Sequence, residues 1–276
     1  MKLRCKDSYL SLDRPLVMGV LNVTPDSFSD GGLWLDADRA VDHGLEMVEQ
    51  GAAIVDVGGE STRPGAEPVA EKEELDRVLP VIEALSHQTS APISIDTRKP
   101  NVAELSVEAG ATMINDTIGE GSDRAMDQLA ARTGVAIVVM HSRGTPATMR
   151  ELTDYEDVVT DVRDFLRLRA EQLAEQGVAR DAICLDPGYG FAKNPRQSLM
   201  LLRRLDEIVE LGYPVLVGTS RKSFIGATLD LPDDQRVEGT AATVAWAISK
   251  GAHIVRVHDV EPNVRTMRML EAIKDS

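Results

Sequence analysis

The sequence predicts an α/β protein, a single-domain (β/α)8 TIM barrel. Three observations carry this expectation. Short apolar, β-branched runs recur eight times along the 276 residues, segments with helical spacing lie between them, and nearly every run ends in a polar or charged residue.

The eight runs span 16–21, 53–57, 92–95, 112–114, 135–140, 183–185, 215–217 and 254–257. Most are continuously apolar rather than alternating, the pattern of strands buried on both faces of a parallel sheet. After the first run, Asp36 is expected to cap a helix whose apolar face is Val41, Leu45 and Val48, ended by Gly51. Leu75, Val78, Leu79, Ile82 and Leu85 repeat at helical spacing, with Pro80 predicting a kink. Tyr155, Val158, Val159, Val162, Leu166 and Leu173 line a long helix ended by Gly177. Further helices are expected near 100–109, 123–133, 196–211, 238–250 and 261–274.

Strands alternating with helices fit a doubly wound sheet or a closed barrel. The doubly wound sheet usually carries a glycine fingerprint after an early strand. The nearest match here, Gly188-Tyr189-Gly190, lacks the third glycine and follows the sixth run, and no P-loop signature is present. A closed eight-stranded barrel accounts for both strand count and length. No linker, low-complexity tract or charge block interrupts the chain, so 1–276 reads as one domain, with residues 1–12 as an N-terminal cap at the barrel bottom.

Lys plus Arg total 30 against 45 Asp plus Glu, a net charge of −15. Phosphate backbones and anionic membranes need a basic face, so nucleic acid and membrane surfaces are not expected partners. A local cationic cluster still admits a small anionic substrate, because remote acids are screened beyond roughly 8–10 Å. Cys5 and Cys184 form no CxxC motif or disulfide framework, which fits a reducing compartment. The N-terminal segment MKLRCKDSYLSL lacks the apolar core of a signal peptide, and the longest aliphatic runs are too short to span a bilayer. A cytoplasmic location is expected.

Barrel enzymes place their active sites at the C-terminal ends of the strands. Here strand one ends at Asn22 and strand two gives Asp56, followed by GGESTRPG. Strand three ends in Asp96, Thr97 and Arg98, strand four in Asn115 and Asp116, and strand five in His141. Strand six gives Asp186 in DPGYGF, strand seven Gly218 in GTSRKS, and strand eight Arg256, Val257 and His258. Asp116 and Asp259 read as caps for the helices that follow. Asp56 reads equally as an acceptor for the glycine-rich turn and as a site residue. Asp96 and Arg98, two apart on an extended segment, share a face and form a candidate pair. Polar groups at nearly every strand end exceed what capping requires, so Asp96, Asn115 and Asp186 read as functional. Arg256 and His258 leave their strand on one side, at the loops where such barrels hold phosphate, and together make a candidate anion site with Arg63 as a third cation. The long loops 23–35 and 58–70, rich in Gly, Ser and Pro, read as lids, with Phe28, Trp34, Thr62 and Arg63 touching a ligand. No GxSxG elbow, HExxH motif or Cys/His cluster occurs, so neither a covalent nucleophile nor structural zinc is expected. His43, His87 and His253 are scattered and read as structural or surface residues.

Seven segments, in order along the chain, resemble the dihydropteroate synthase family. They are MGVLNVTPDSFSDGG (18–32), DVGGESTRPGA (56–66), SIDTRKP (94–100), IND (114–116), LDPGYGFAKN (185–194), GTSRKSFIG (218–226) and RVHDV (256–260). The first two are the most specific. Residues 1–12, 142–182 and 227–237 are weakly covered. The resemblance implies a transferase that joins p-aminobenzoate to 6-hydroxymethyl-7,8-dihydropterin diphosphate in folate biosynthesis, releasing pyrophosphate with the aid of Mg2+. It assigns Asn22 to the metal–diphosphate, and Thr62, Arg63, Arg256 and His258 to the diphosphate. Asp96, Asn115, Asp186 and Lys222 fall to the pterin, and Thr62, Pro64, Phe191, Ser220 and Lys222 to p-aminobenzoate. Catalysis falls to Asp96, Lys222, Arg256 and His258, and a homodimer is implied. Two other readings fit the pterin contacts: a pterin-dependent methyltransferase and a non-catalytic pterin-binding paralogue. The first has no need of the Arg256/His258 anion site or of the TSRKS and STRPG segments.

Overall fold

Aliphatic and β-branched residues that can be buried on both faces become the strands of a closed parallel barrel. The structure is a computed structural model that describes residues 1–24, 32–61, 65–121 and 124–276. A hairpin of β1 (Lys2–Cys5) and β2 (Ser8–Ser11) precedes the barrel strands. These are β3 (Leu16–Asn22), β4 (Ile54–Gly58), β5 (Ile93–Thr97), β6 (Met113–Asp116), β7 (Ala136–Met140), β8 (Ile183–Asp186), β9 (Leu216–Val217) and β10 (Ile254–Val257). They pair in parallel in the order β8-β7-β6-β5-β4-β3-β10-β9, and a parallel bridge between Leu185 and Val215 closes the ring.

Several strands run past the apolar runs that announce them. Asn22, Gly58, Asp96, Thr97, Asn115, Asp116 and Asp186 are ladder residues rather than loop residues. The ladder is made by main-chain groups and does not require apolar side chains, so polarity marks the site before it marks the strand end.

Ten α-helices occur among the described residues: α1 (Gly32–Glu49), α2 (Glu71–Gln88), α3 (Pro100–Glu108), α4 (Arg124–Thr133), α5 (Val158–Glu175), α6 (Pro195–Arg203), α7 (Asp206–Val209), α8 (Ser223–Leu229), α9 (Val237–Ser249) and α10 (Val260–Lys274). Their apolar faces pack on the outward strand positions, Val17, Leu21, Val55, Val57, Ile93 and Ile95 among them. Three expectations need correction. Asp36 does not cap α1, because the helix is already running at Gly32; Leu33, Leu35 and Ala37 around Asp36 are strong helix formers that carry it inside. Tyr155 precedes α5, whose N-cap is Asp157, accepting from the Val159 amide at 3.0 Å. The single helix expected over 196–211 is two. At Arg204 the backbone leaves helical geometry, and i→i+3 bonds such as Ile208 N–H to Leu205 O (3.0 Å) take over. Leu201, Leu205 and Ile208 stay buried through the break, so the periodicity does not reveal it. The seven residues of α8 are too few to show a period and escape sequence reading.

Inward-pointing residues near the strand N-termini form a second apolar cluster: Met18, Ile54, Met113, Ala136, Val138, Cys184, Leu216 and Ile254. The hairpin residues Leu3 and Cys5, with Leu12, pack into it, and the Lys6 amide bonds Gly134 O at 2.9 Å. Cys5 and Cys184 are buried free thiols.

Candidate active site

The ladder aligns Asn22 with Gly58, Gly58 with Asp96, and Asp96 with Asn115 across four adjacent strands. Alternation then aims their side chains at the barrel mouth. Gly58 keeps the middle of this row open: a Cβ there would stand 3.6 Å from Asp96 Cβ and 3.8 Å from Asn22 Oδ1.

Arg256 of β10 organises the floor of the mouth. Its Nε donates to Asp56 Oδ2 at 2.6 Å, and its Nη2 donates to Asp96 Oδ2 at 2.6 Å. Asn115 Nδ2 donates to the same Asp56 oxygen at 3.0 Å, and Thr117 Oγ1 donates to Asp96 Oδ1 at 3.3 Å. One guanidinium therefore faces two buried carboxylates. Burial opposes the charge on Arg256, but Asp56 and Asp96 outweigh it and hold its pKa above that of an ordinary arginine. Burial pushes Asp96 upward while Arg256 acts against that shift. Asp56 Oδ1 and Asn115 Oδ1 are buried without a hydrogen-bond partner, the kind of unmet acceptor that a ligand N–H can satisfy.

Asp56 bonds Arg256 and Asn115, not the glycine-rich turn after β4. The Asp96–Arg98 pair is not formed. Arg98 lies beyond the last ladder residue of β5, so strand alternation no longer governs it. It lines a small cavity with Thr117, Ser142 and Phe191. Asp259 stands at the N-cap of α10, but its carboxylate pairs with Arg221 rather than the helix amides. Asp116 accepts locally from the Ile118 amide at 3.0 Å.

Asp186 ends β8 and accepts from the Gly188 amide at 2.7 Å. Burial raises its pKa to about 6, opposed by that amide and by Lys222, Arg256 and Lys193. Gly188 has φ +69°, and a Cβ there would meet His141 O at 2.0 Å, so only glycine fits between β7 and this turn. The turn continues to Phe191, whose ring centroid lies 4.0 Å from Lys222 Nζ, a cation–π contact. His141, the polar end of strand five, is buried and bonded through Nδ1 to Lys193 Nζ at 2.9 Å.

The GTSRKS segment places Ser220 and Lys222 on either side of Arg221, which adopts φ +56°. Arg221 is held by Asp259, by Thr240 Oγ1 on its amide (3.1 Å) and by Arg236 Nη1 on its carbonyl (3.0 Å). Ser220 Oγ accepts from the His258 amide at 3.1 Å and lies 3.0 Å from His258 Nδ1. With the hydroxyl donating to Nδ1, the imidazole proton resides on Nε2. Burial, then Arg256, Arg221 and Lys222, lower the His258 pKa to about 3, so the ring is neutral near pH 7.

Thr62, Arg63, Pro64 and Phe28, and the side chain of Trp34, lie outside the described residues. The root of the second loop is described. Gly59 O accepts from Arg77 Nη1 at 2.8 Å, and Lys99 Nζ bridges Glu60 and the buried Glu74, which also accepts from Thr97 Oγ1 at 2.7 Å. Sequence reading missed this clasp, along with Thr117, Arg221 and Lys193. Only Lys193 left a signal, a charged residue closing the DPGYGFAK turn. Among the described residues, no group of three or more His, Cys, Asp or Glu side chains is arranged to hold a metal. No helix among them is long and apolar enough to cross a membrane.

The pterin binding enzyme family matches residues 18–258, a span that opens in β3 and closes on His258. Over 261 residues the chain is 48% identical to a dihydropteroate synthase of Synechocystis sp., covering 94% of this chain and 90% of that one. The chain belongs to the dihydropteroate synthase family. A solved dihydropteroate synthase of Yersinia pestis, in a sulfonamide drug complex, superposes with a TM-score of 0.93 at 44% identity, covering 100% of both chains. That of Xanthomonas albilineans with 4-aminobenzoic acid superposes with a TM-score of 0.93 at 43% identity, again covering 100% of both. The family match leaves the β1–β2 hairpin outside and takes in the dihydropteroate synthase barrel from Met18 of β3 to the end of β10, together with the described polar mouth.

Proposed function

We propose that the chain condenses 6-hydroxymethyl-7,8-dihydropterin diphosphate with p-aminobenzoate, releasing pyrophosphate and forming dihydropteroate. The observation that carries this is the mouth cluster: Asp56, Asp96, Asp186 and Asn115, with two unmet acceptor oxygens, around one guanidinium. A pterin edge presents an exocyclic amine beside a ring N–H, and ionised Asp186 accepts from both. Asn115 Oδ1 accepts from a further ring N–H, and Lys222 donates to a ring oxygen or nitrogen. Each charge-assisted bond contributes about 1.5–3 kcal/mol.

The geometry suits a dissociative transfer. The C–O bond to the diphosphate breaks with its electron pair, and positive charge spreads from the methylene carbon into the electron-rich ring. Arg256 offsets only one of the Asp56 and Asp96 charges, so the surplus negative charge of the pair stabilises that cation. Asp96 has the catalytic role here. Neutral His258, donating through Nε2, and the Thr62–Arg63 loop hold the departing diphosphate with Arg256. The amine of p-aminobenzoate, stacked beside Phe191 and Lys222 with Ser220 nearby, attacks the carbon and sheds its proton to water; the family resemblance assigns Pro64 to the same subsite.

The donor set fits Mg2+ carried in by the diphosphate. Magnesium takes few protein oxygens and keeps substrate and water ligands, and Asn22 Oδ1 borders the open space above Gly58. When bound, the ion would neutralise charge on the leaving group, with Asn22 holding it. A homodimer in the cytoplasm completes the reading.

The test uses purified protein, the dihydropterin diphosphate, p-aminobenzoate and Mg2+. Pyrophosphate release should require p-aminobenzoate and match dihydropteroate one for one. Release that ignores p-aminobenzoate, or none at all, overturns the proposal.

A further inference from the structure

Lys193 belongs to no substrate contact, yet its amine is one of the most enclosed charges in the molecule, with the residue 6% exposed. Four acceptors surround Nζ: His141 Nδ1 at 2.9 Å, His141 O at 3.2 Å, Gly188 O at 3.0 Å and Phe191 O at 2.8 Å. Two come from the end of β7 and two from the turn after β8. An ammonium has three N–H donors, so this set occupies all of them. Burial lowers the Lys193 pKa well below that of an ordinary lysine, and Asp186 acts in the opposite sense. Burial, with Lys193 and Arg143, lowers the His141 pKa to about 2. The ring is therefore neutral near pH 7 and offers Nδ1 as an acceptor. Phe165 meets it edge-on, centroids 4.9 Å apart.

What Lys193 holds is the segment that carries two ligand contacts. The carbonyl of Gly188 receives Nζ, while the amide of Gly188 donates to Asp186 Oδ1 at 2.7 Å. One residue thus links the lysine to the carboxylate. At the far end of the turn, the carbonyl of Phe191 receives Nζ and its ring lies under Lys222.

We infer that Lys193 is a positioning residue for the transfer reaction: its amine fastens the Asp186–Phe191 turn to the end of β7 and so sets where Asp186 meets the pterin and Phe191 meets the arylamine. The inference rests on the function proposed above for the identity of the two ligands. The fastening itself rests on the bonds alone.

The test compares wild type, Lys193→Met and a stability control, Val162→Ala, in the helical layer. Working temperatures are chosen so that both variants stay folded. Lys193→Met should raise the KM for p-aminobenzoate and weaken dihydropterin binding by calorimetry, each about 10–100-fold, the scale of a 1 Å misplacement. Amide hydrogens of residues 188–191 should exchange faster. Val162→Ala should leave all three readouts at wild-type values. Should Lys193→Met not fold, His141→Leu removes one acceptor and should shift the same readouts in the same direction. Wild-type ligand constants and wild-type exchange in a folded Lys193→Met, or in His141→Leu if the first does not fold, overturn the inference. If wild type binds no dihydropterin, the functional proposal fails instead, and exchange at 188–191 still decides whether Lys193 fastens the turn.

Discussion

At the N-terminal ends of the strands the barrel interior is filled by Met18, Ile54, Met113, Ala136, Cys184, Leu216 and Ile254, sealed by Leu3 and Cys5 of the hairpin. At the C-terminal ends the same alternating positions carry Asn22, Asp56, Asp96, Asn115, Asp186 and Arg256. The lower layer removes apolar area from water at about 25 cal/mol per Å2. The upper layer buries charges that stabilise the fold little and leaves two acceptors open. One end of a parallel barrel maintains the fold, which frees the other to keep the polar groups that a ligand completes.

The sharpest way to break this contrast is to remove the guanidinium. Arg256→Met leaves Asp56 and Asp96 facing each other and should lower stability by about 3–5 kcal/mol and turnover by about 100–1000-fold. Because burial raises the Asp96 pKa, and loss of Arg256 raises it further, protonation relieves the repulsion. The stability loss in denaturant titrations should therefore be smaller at pH 5 than at pH 8. An equal loss at both would mean that the carboxylates are not coupled through Arg256.

At the other end, Met113→Ala should cost about 2–5 kcal/mol through the cavity it opens, with both KM values unchanged at temperatures where the variant stays folded. A shift in KM would show that the layers are not independent.

A smaller effect tests Asp186. Its folded pKa of about 6 stands above the ordinary 3.8. The stability that its protonated form contributes is present below about pH 4 and is lost as pH rises through about 6. A ring donating two N–H groups needs the ionised form, so dihydropterin affinity by calorimetry should rise over that same interval. Asp186→Asn should weaken binding about 10–150-fold and flatten the pH dependence. A variant that retains the slope would place the titrating group elsewhere.

The smallest response is expected from the thiols. Burial pushes Cys5 up to about 12 and Cys184 higher still, so neither should react with a thiol reagent in native buffer near pH 7, and both should do so in denaturant. Native labelling would show that the hairpin opens.

Much of the barrel was legible because strand burial leaves an unbroken apolar trace: all eight runs lie within two residues of their strands at both ends, the run over 215–217 yielding Leu216–Val217 plus the bridging Val215. Short or locally tightened helices were not legible. The break at Arg204 preserves the buried spacing of Leu201, Leu205 and Ile208, and α8 has too few turns to show a period. Within the site, Asp96, Asn115, Asp186 and Arg256 could be named from their place after apolar runs. Their partners could not. The sequence offers Arg98 as the near neighbour of Asp96, whereas the guanidinium that reaches it comes from 160 residues away, and reaches Asp56 from 200.

By itself, the sequence determined the barrel, the end at which its polar residues gather and the chemical groups available there. These follow from local periodicity and composition, which a linear chain records. Only the tertiary structure decided which carboxylates Arg256 bridges, that His258 is neutral beside Ser220, and that Lys193 faces His141 across two strand ends. Those outcomes depend on distance and burial between residues far apart in the chain, because electrostatic and hydrogen-bond energies are set by the closing of the barrel rather than by any segment of it.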